Sequence, residues 1–356
     1  MEWGPGKHDN LHRKNPRPVI YSYRAYGLTF SSDTAVPALR KEPEHLRRPD
    51  VVMSLGPEPD WVREATRLPF RVERPRAGEV EGHDSPFTLT AFGEGEFFQL
   101  AYDDGTRFVV DGAAKRLWGT GLPPLTTEDL ATYLVGPVMG FLLRRRGVLA
   151  LHASSVCVSG NALILCGSSE SGKSTTAAAL ALRGIPVLTD DIAPVKEDKG
   201  SLYLEPGYPR ICLWPDAVES LLGLPGALPR LTPTWEKCFL ALDGARAAFE
   251  PNKRPLKVVY FFGPRVDEAD APRIEDLGMR DALLELVQNT YMNWLLDRHQ
   301  RAAELDVLTR LVANVPVRRI VPHTDRARIG SLCELIIKEA ERQSGRQSSA
   351  AVNSGR

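Results

Sequence analysis

Residues 162–183 read ALILCGSSESGKSTTAAALALR, and the interpretation of the whole chain begins from this stretch. Residues 167–174, GSSESGKS, fit the Walker A pattern G-x-x-x-x-G-K-[ST], whose glycines let backbone N–H groups turn inward towards phosphate oxygens. The apolar run before the pattern suits a buried strand, and Thr175–Arg183 favours a helix ending at Gly184. Strand, loop and helix in this order predict a phosphate-binding loop rather than a plain connection.

Different residues of the loop are predicted to bind the phosphates of a nucleoside triphosphate and its metal ion. Lys173 is predicted to reach the β- and γ-phosphates, and the Ser174 hydroxyl to bind Mg²⁺. A phosphate seated there also meets the positive end of the following helix. The predicted nucleotide-binding residues are Gly167, Ser168, Ser169, Glu170, Ser171, Gly172, Lys173, Ser174 and Thr175.

A second prediction concerns His152, on the strand before the loop. The run 149–158 and the apolar run 162–166 are separated by Ser159-Gly160-Asn161, which is typical of an antiparallel hairpin. With Gly160 and Asn161 as the two turn residues, facing pairs sum to 321 and His152 lies beside Ser169. The sequence therefore predicts a phosphate-site role for His152, with an ordinary core histidine as the alternative.

Two adjacent acids, Asp190 and Asp191, end the apolar run Ile185–Thr189. Acids at the carboxyl end of a sheet strand lie where ligands bind in open α/β sheets, although an Asx-turn or helix cap would also explain them. In the functional interpretation one carboxylate holds Mg²⁺ and the other accepts a proton from an attacking hydroxyl. Adjacent strand residues face opposite sides, so both can serve only if the backbone turns there.

Composition and charge exclude several classes of protein. Lys plus Arg equals Asp plus Glu at 45 each, which makes a nucleic-acid partner unexpected. The five cysteines form no CxxC pair, so neither a zinc site nor a disulfide framework is indicated. No stretch approaches the roughly 18 apolar residues of a membrane span, and the start has no apolar signal region. We therefore expect a cytoplasmic protein without a membrane partner; a homo-oligomer is left open.

The remaining sequence predicts two domains between two tails. Residues 1–18 and 343–356 are expected to be disordered tails, 19–125 a β-rich N-terminal domain and 126–342 the domain that carries the phosphate-binding loop. The segment Thr126-Thr127-Glu128-Asp129 supplies an N-cap and early acids for a helix predicted to run to Arg146. Asp103-Asp104-Gly105 indicates a hairpin turn. The strands predicted in the first domain are Val19–Tyr26, Val51–Leu55, Thr88–Ala91, Phe97–Tyr102, Thr106–Val110 and Lys115–Trp118.

Taken together, the segments Leu151-His152-Ala153-Ser154, 167–174 and Leu188-Thr189-Asp190-Asp191 resemble the catalytic half of HPr serine kinase/phosphorylase and its relatives. The resemblance covers about residues 148–215 well and the remainder more weakly. It implies an α/β protein with the P-loop core that this family shares with phosphoenolpyruvate carboxykinase, preceded here by a β-rich N-terminal domain. It also implies that His152, Lys173, Ser174 and the pair Asp190/Asp191 are active-site residues. The resemblance leaves open which acid is the base and which holds the metal; our choice is His152, Lys173, Asp190 and Asp191 as catalytic residues, Asp191 as the base, and Ser174 and Asp190 as metal ligands.

The segments 23–28 and 133–147 are similar to a subgroup of these kinases from gene clusters for ribosomally made peptides, lasso peptides among them. That similarity implies a serine on a precursor peptide as the acceptor. Thr175 stands where the bacterial regulator kinases usually carry an acid, and their Pro-Gly-Arg-Asn stretch is absent from this sequence. The resemblance therefore implies neither HPr as the acceptor nor the reverse phosphorolysis, and both stay open.

The leading functional hypothesis is an ATP- and Mg²⁺-dependent kinase that transfers the γ-phosphoryl group to a serine hydroxyl of a peptide or protein. A nucleotide-binding regulatory module without catalysis is the alternative from another class, and the acid pair Asp190/Asp191 argues against it. A small-molecule kinase stays open. The Leu-Ser-Gly-Gly-Gln signature of transporter ATPases is absent from the sequence.

Overall fold

A computed structural model describes residues 19–43, 48–73 and 87–353 of the chain, with only the backbone described for 343–353. The predicted tails at 1–18 and 354–356 lie outside the described residues. The protein is a mixed α/β structure built on two large sheets, and its hydrophobic residues form separate cores on the faces of these sheets.

The first sheet belongs to the N-terminal part of the chain and has the strand order β1-β2-β3-β8-β7-β6-β5-β4. Its strands are β1 (Tyr21–Ala25), β2 (Leu28–Ser32), β3 (Val51–Leu55), β4 (Phe70–Glu73), β5 (Phe87–Phe92), β6 (Phe97–Tyr102), β7 (Arg107–Asp111) and β8 (Arg116–Thr120), with helix α1 (Asp60–Ala65) after β3. The six predicted strands are confirmed to within a few residues, and β6 and β7 form the hairpin expected around Gly105. β2 and β4 were not predicted.

Two helices joined by a π-helical turn connect the sheets, where the sequence predicts one continuous helix from Thr126 to Arg146. They are α2 (Thr127–Tyr133), the turn Leu134–Val138 and α3 (Met139–Arg145). Thr126 caps α2 as expected, in a reciprocal capping box with Asp129. The prediction of an unbroken helix is wrong because Gly136 adopts a non-helical conformation and Pro137 cannot donate a backbone hydrogen bond.

The second sheet carries the predicted phosphate loop. Its strands are β9 (Leu149–Val158), β10 (Asn161–Cys166), β11 (Val187–Thr189), β12 (Ile192–Asp198), β13 (Ser201–Leu204), β16 (Arg254–Phe262), β17 (Arg273–Asp276) and β18 (Val317–Val321), while β14 (Arg210–Leu213) and β15 (Cys238–Ala241) pair separately. β10, β16 and β18 run parallel to one another, so their carboxyl ends meet at one edge. β9 pairs with β10 on one side and with β11 and then β12 on the other.

Helices cover the second sheet and complete the fold. They are α4 (Lys173–Ala181), α5 (Pro215–Leu222), α6 (Met279–Gln288), α7 (Arg298–Asn314) and α8 (Ile329–Asn353). The backbone of α8 continues to Asn353, so the tail expected from residue 343 is helical over 343–353. None of the helices in the described part of the chain is both long and apolar enough to cross a membrane.

The predicted domain boundary near residue 125 falls between β8 and α2. Side chains of α2 and α3, such as Leu130 and Phe141, share one hydrophobic core with residues of the first sheet, such as Tyr23 and Phe108. α3 also contacts β9 of the second sheet. Because the connecting helices pack against both sheets, the division at this residue stays a prediction.

Candidate active site

The hairpin β9–β10 leads into the glycine-rich loop, residues 167–174, with a register different from the predicted one. Facing residues sum to 319, as in Val156 opposite Leu163, because the turn residues are Ser159 and Gly160. Both have positive φ, 48° and 77°, which a two-residue hairpin turn favours. The predicted sum of 321 is therefore wrong by two residues. A shift of two keeps each side chain on its predicted face, and His152 still borders the same cavity as Ser169.

The glycine-rich loop lies between the end of β10 and the start of α4. Gly167 and Gly172 have φ of 146° and 109°, so glycine is needed at both ends of the loop. A Cβ on Gly167 would lie 2.8 Å from Ser171 Oγ, and one on Gly172 would lie 3.0 Å from an Arg265 nitrogen. The loop is therefore tight. Its residues that line the cavity are Ser169, Glu170, Gly172, Lys173, Ser174 and Thr175; Gly167, Ser168 and Ser171 are not among the lining residues.

Lys173, the first residue of α4, is buried at the bottom of the loop. Its ammonium group donates to the carbonyl oxygens of Gly167 and Ser168, each at 2.8 Å. No carboxylate of the described residues lies within 4 Å of it. Burial lowers the pKa of Lys173, partly opposed by the neighbouring acids. A buried cation held only by backbone carbonyls is suited to exchanging those contacts for an anionic ligand.

Asp190 is buried where β11 passes into β12, opposite Ser154 of β9. Its Oδ1 accepts from Ser154 Oγ at 2.6 Å and from Ser174 Oγ at 2.8 Å, and its Oδ2 accepts from the Cys212 backbone N–H at 3.0 Å. Burial raises the pKa of Asp190 above its ordinary value, although these hydrogen bonds pull it down. The carboxylate is thus fixed in one orientation beside the first turn of α4.

Asp191 faces the same cavity because its backbone takes the left-handed conformation, with φ of 72°. This is the turn that the sequence required for both acids to serve together. About a third of its side chain is exposed, and its Oδ1 lies 3.2 Å from His152 Nδ1. A Cβ added to Gly136 would lie 3.6 Å from Asp191 Oδ2, so the broken connecting helix lies against the Asp191 carboxylate. Asp191 and His152 therefore form an accessible pair beside the buried Asp190.

The oxygen pair Ser174–Asp190 fits a magnesium ion. Ser174 Oγ and Asp190 Oδ1 are 2.8 Å apart, close to the roughly 2.9 Å between neighbouring ligands in an octahedron of bonds of about 2.0–2.1 Å. In the described part of the chain, no group of three or more His, Cys, Asp and Glu is placed to hold a metal. A small number of protein ligands is enough for Mg²⁺, because this ion usually keeps several waters and binds substrate phosphates.

Arg265 and His323 border the site and were not predicted. They follow β16 and β18, whose carboxyl ends lie beside the loop because both strands run parallel to β10. Arg265 Nη1 donates to the His323 carbonyl oxygen at 3.1 Å, and no carboxylate of the described residues pairs with Arg265. Burial lowers the pKa of Arg265, and Arg326 adds to the effect. In the sequence, Arg265 and His323 each follow an apolar run, and this was the available signal for them. The runs end in Gly263-Pro264-Arg265 and Pro322-His323, and neither forms a motif.

All these groups open onto one cavity of about 1120 Å³. It brings together the predicted catalytic residues His152, Lys173, Asp190 and Asp191 with six of the nine predicted nucleotide-binding residues. Its wall also includes Arg265, His323 and side chains from the first sheet and the connecting helix. The volume exceeds the roughly 300–1,000 Å³ of common small-molecule sites, so there is room for two reactants.

Comparison with known proteins adds little to this geometry. No protein-family model matches the chain, and no curated protein matches it. Among solved structures, the chain is similar to the Hpr(Ser) kinase/phosphatase from Coxiella burnetii, with 14% sequence identity and a TM-score of 0.31 over 57% of this chain and 97% of that one. At that TM-score the likeness does not assign an activity to this chain.

Proposed function

We propose that this protein is a phosphotransferase that uses ATP and Mg²⁺ to phosphorylate a serine hydroxyl of a peptide or protein. The observation that carries the proposal is the arrangement of Lys173, the Ser174–Asp190 oxygen pair and Asp191 around one cavity, all at the start of α4 or at the end of β11. Phosphoryl transfer demands positioned charge rather than covalent chemistry from the protein, and these residues supply charge of both signs.

The triphosphate would lie on the glycine-rich loop at the N-terminus of α4, where backbone N–H groups and the helix dipole favour anions. Lys173 would give up its bonds to the Gly167 and Ser168 carbonyls and bind phosphate oxygens. Arg265, beside Gly172, offers a second cation without an acidic partner among the described residues. Ser174 and Asp190 would hold Mg²⁺, which when bound neutralises charge on the phosphates.

Asp191 is the group that we assign as the general base. It would accept the proton of the attacking hydroxyl as the new bond between that oxygen and the γ-phosphorus forms and the bond to the β,γ-bridging oxygen breaks. About a third of the Asp191 side chain is exposed, which suits contact with an acceptor, whereas Asp190 is buried. His152 Nδ1, at 3.2 Å, is placed to orient the Asp191 carboxylate.

The test is incubation of the full chain with γ-labelled ATP, Mg²⁺ and a peptide library that carries one fixed serine. Ribosomally made precursor peptides of the lasso kind are the first individual acceptors to try. We expect label on serine that disappears when Mg²⁺ is chelated. Nucleotide binding without label transfer to peptide, protein or small alcohols would leave only a binding module and would overturn the proposal.

A further inference from the structure

Apart from the glycine-rich loop, two sets of residues line the large cavity, and we call them its two ends. One end follows β18 and includes Pro322, Ile329 and Leu332 together with the charged Asp325, Arg326 and Arg328. At the other end the lining comes from the first sheet, the connecting helix and the segment 231–237. Asp191 faces this second end, since it lies against Gly136 in the turn that follows Tyr133. A phosphoryl group pointing towards Asp191 would therefore meet an acceptor there.

The second end is walled by aromatic rings, which we call the aromatic wall: Phe87, Tyr102, Tyr133 and Trp235. The ring centroids of Phe87 and Tyr102 are 5.7 Å apart, those of Tyr102 and Tyr133 4.1 Å, and those of Tyr133 and Trp235 5.6 Å. These separations are those of rings in direct contact. The four side chains therefore form one cluster of contacting rings, in which Phe87 and Trp235 are partly exposed and Tyr102 and Tyr133 are each 5% exposed.

Polar anchors behind the aromatic wall hold it in place. The Tyr133 hydroxyl donates to Asp104 at 2.8 Å, and the Thr234 hydroxyl, next to Trp235, donates to Asp129 at 2.5 Å. Asp129 is fully buried, and its other oxygen serves the capping box of α2. Because a buried carboxylate divided between two segments fixes both, the wall is rigid before any ligand arrives.

One polar group of the aromatic wall has no hydrogen-bond partner among the described residues. The Tyr102 side chain is 5% exposed and borders the cavity, and its buried hydroxyl makes no hydrogen bond to the described residues. The hydroxyl itself has almost no accessible surface, so a ligand in the cavity does not reach it. The aromatic rings alone therefore indicate a site for an aromatic or large apolar group.

We propose that the aromatic wall is the acceptor subsite and selects a serine that has an aromatic or large apolar side chain next to it. This inference rests on the proposed function, since it identifies the acceptor end of the same cavity. A peptide and a small alcohol bearing an aromatic ring share the required chemistry. Trp235 is a partly exposed ring of the aromatic wall and is the residue whose loss separates recognition from catalysis.

The first measurement is binding without chemistry. Fluorescein-labelled peptides with the cores GGSGG, GFSFG and GKSKG are titrated with the full chain, with and without an ATP analogue that cannot be hydrolysed, and followed by anisotropy. We expect GFSFG to bind at least about tenfold more tightly than GGSGG, and Trp235→Ala to remove that preference. Trp61→Ala is the matched control, because Trp61 is a partly exposed tryptophan that is not among the cavity-lining residues.

The second measurement is transfer, with the acceptor KM and the ATP KM determined separately. Trp235→Ala is expected to raise the KM for GFSFG by about tenfold or more with little change in the ATP KM, and Trp235→Phe to restore most of the difference. Phosphorylation of 2-phenylethanol as efficient as that of the peptide would assign the subsite to small alcohols instead of peptides.

Failure of this inference is distinguishable from failure of the proposed function. Equal affinity for GFSFG and GGSGG, or an unchanged preference in Trp235→Ala, overturns the subsite even when serine is phosphorylated. A chain that binds GFSFG selectively but never binds ATP overturns the proposed kinase and leaves an aromatic-peptide site at this wall.

Discussion

The two walls of the cavity differ in how far apart their residues lie in the sequence. One wall, which we call the phosphate-facing wall after its proposed role, comes mainly from six residues of the segment 167–175 and from 190–191, with strand β10 and helix α4 on either side of the loop. The aromatic wall draws single side chains from positions as distant as Phe87 and Trp235. Phosphate recognition relies on backbone N–H groups in one tight turn, which a short motif can encode. Recognition of an acceptor relies on side chains that only the complete fold brings together.

Loss of Lys173 is expected to have the largest effect. It should abolish nucleotide binding at the phosphate-facing wall and leave peptide binding at the aromatic wall intact. Lys173→Ala removes the buried ammonium group, so we expect nucleotide binding to fall below detection and transfer to be abolished. Binding of the GFSFG peptide should persist. Titration with a fluorescent ATP analogue and peptide anisotropy measure the two affinities.

The control for this variant is Lys253→Ala, which removes an exposed lysine paired with Asp198. Its nucleotide affinity should match that of the unmodified chain. Full nucleotide affinity in Lys173→Ala would mean that the loop does not bind the triphosphate.

The second prediction concerns Asp191, where the two walls meet. Asp191→Asn keeps the size of the side chain but removes the base, so transfer should fall by about 10²–10⁴-fold while both reactants still bind. Single-turnover transfer together with the two binding titrations gives this split. Asp198→Asn, on the exposed part of β12, is the control and should transfer normally. Full transfer by Asp191→Asn would remove Asp191 as the base.

The sequence predicted the parts of the site whose conformation is determined locally. Apolar residues 162–166, the glycine-rich loop and the helix-forming run after it lie in the predicted order because strand, turn and helix preferences agree over one short stretch. The hairpin register failed by two residues, since Ser159-Gly160 and Gly160-Asn161 both suit a tight turn and only the paired strands decide between them.

The rest of the site depends on tertiary contacts that the sequence does not display. The break at Gly136-Pro137 places the connecting helix against Asp191, yet the pattern of apolar residues there is that of one helix. Arg265 reaches the loop only because β16 lies parallel to β10, an arrangement fixed by long-range pairing. Trp235 is held in the aromatic wall by the hydrogen bond from its neighbour Thr234 to Asp129, and these two residues are far apart in the chain.

The third prediction tests the electrostatics of the phosphate-facing wall through protein stability. Burial raises the folded-state pKa of Asp190, so ionising this carboxyl lowers stability as the pH rises through that pKa. The Ser154 hydroxyl stabilises the ionised form; Ser154→Ala should therefore raise the pKa further and destabilise the protein more at neutral than at acidic pH. We expect about 1.5–3 kcal/mol at neutral pH without Mg²⁺, measured by urea unfolding across pH.

The neighbouring serine supplies a matched control for this pH dependence. Ser155 is equally buried on β9, but its hydroxyl donates to the Leu163 carbonyl oxygen at 2.8 Å, which does not titrate. Ser155→Ala should cost the same at every pH. A parallel pH dependence in both variants would contradict the assigned role of Ser154.

The smallest expected effect concerns the connecting helix, which lies between the two walls of the cavity. Tyr26, directly after β1, donates its hydroxyl to the Val135 carbonyl oxygen at 2.6 Å, inside the π-helical turn that lies against Asp191. Tyr26→Phe removes this buried bond and should cost about 1 kcal/mol of stability. Because the lost bond holds the connecting helix and not the loop, amide exchange should speed up over residues 127–145 and stay unchanged over 173–181. Tyr203→Phe, on a partly exposed tyrosine of β13, is the control. Equal acceleration in both segments of Tyr26→Phe would mean that the first sheet supports the phosphate-facing wall as directly as it supports the aromatic one.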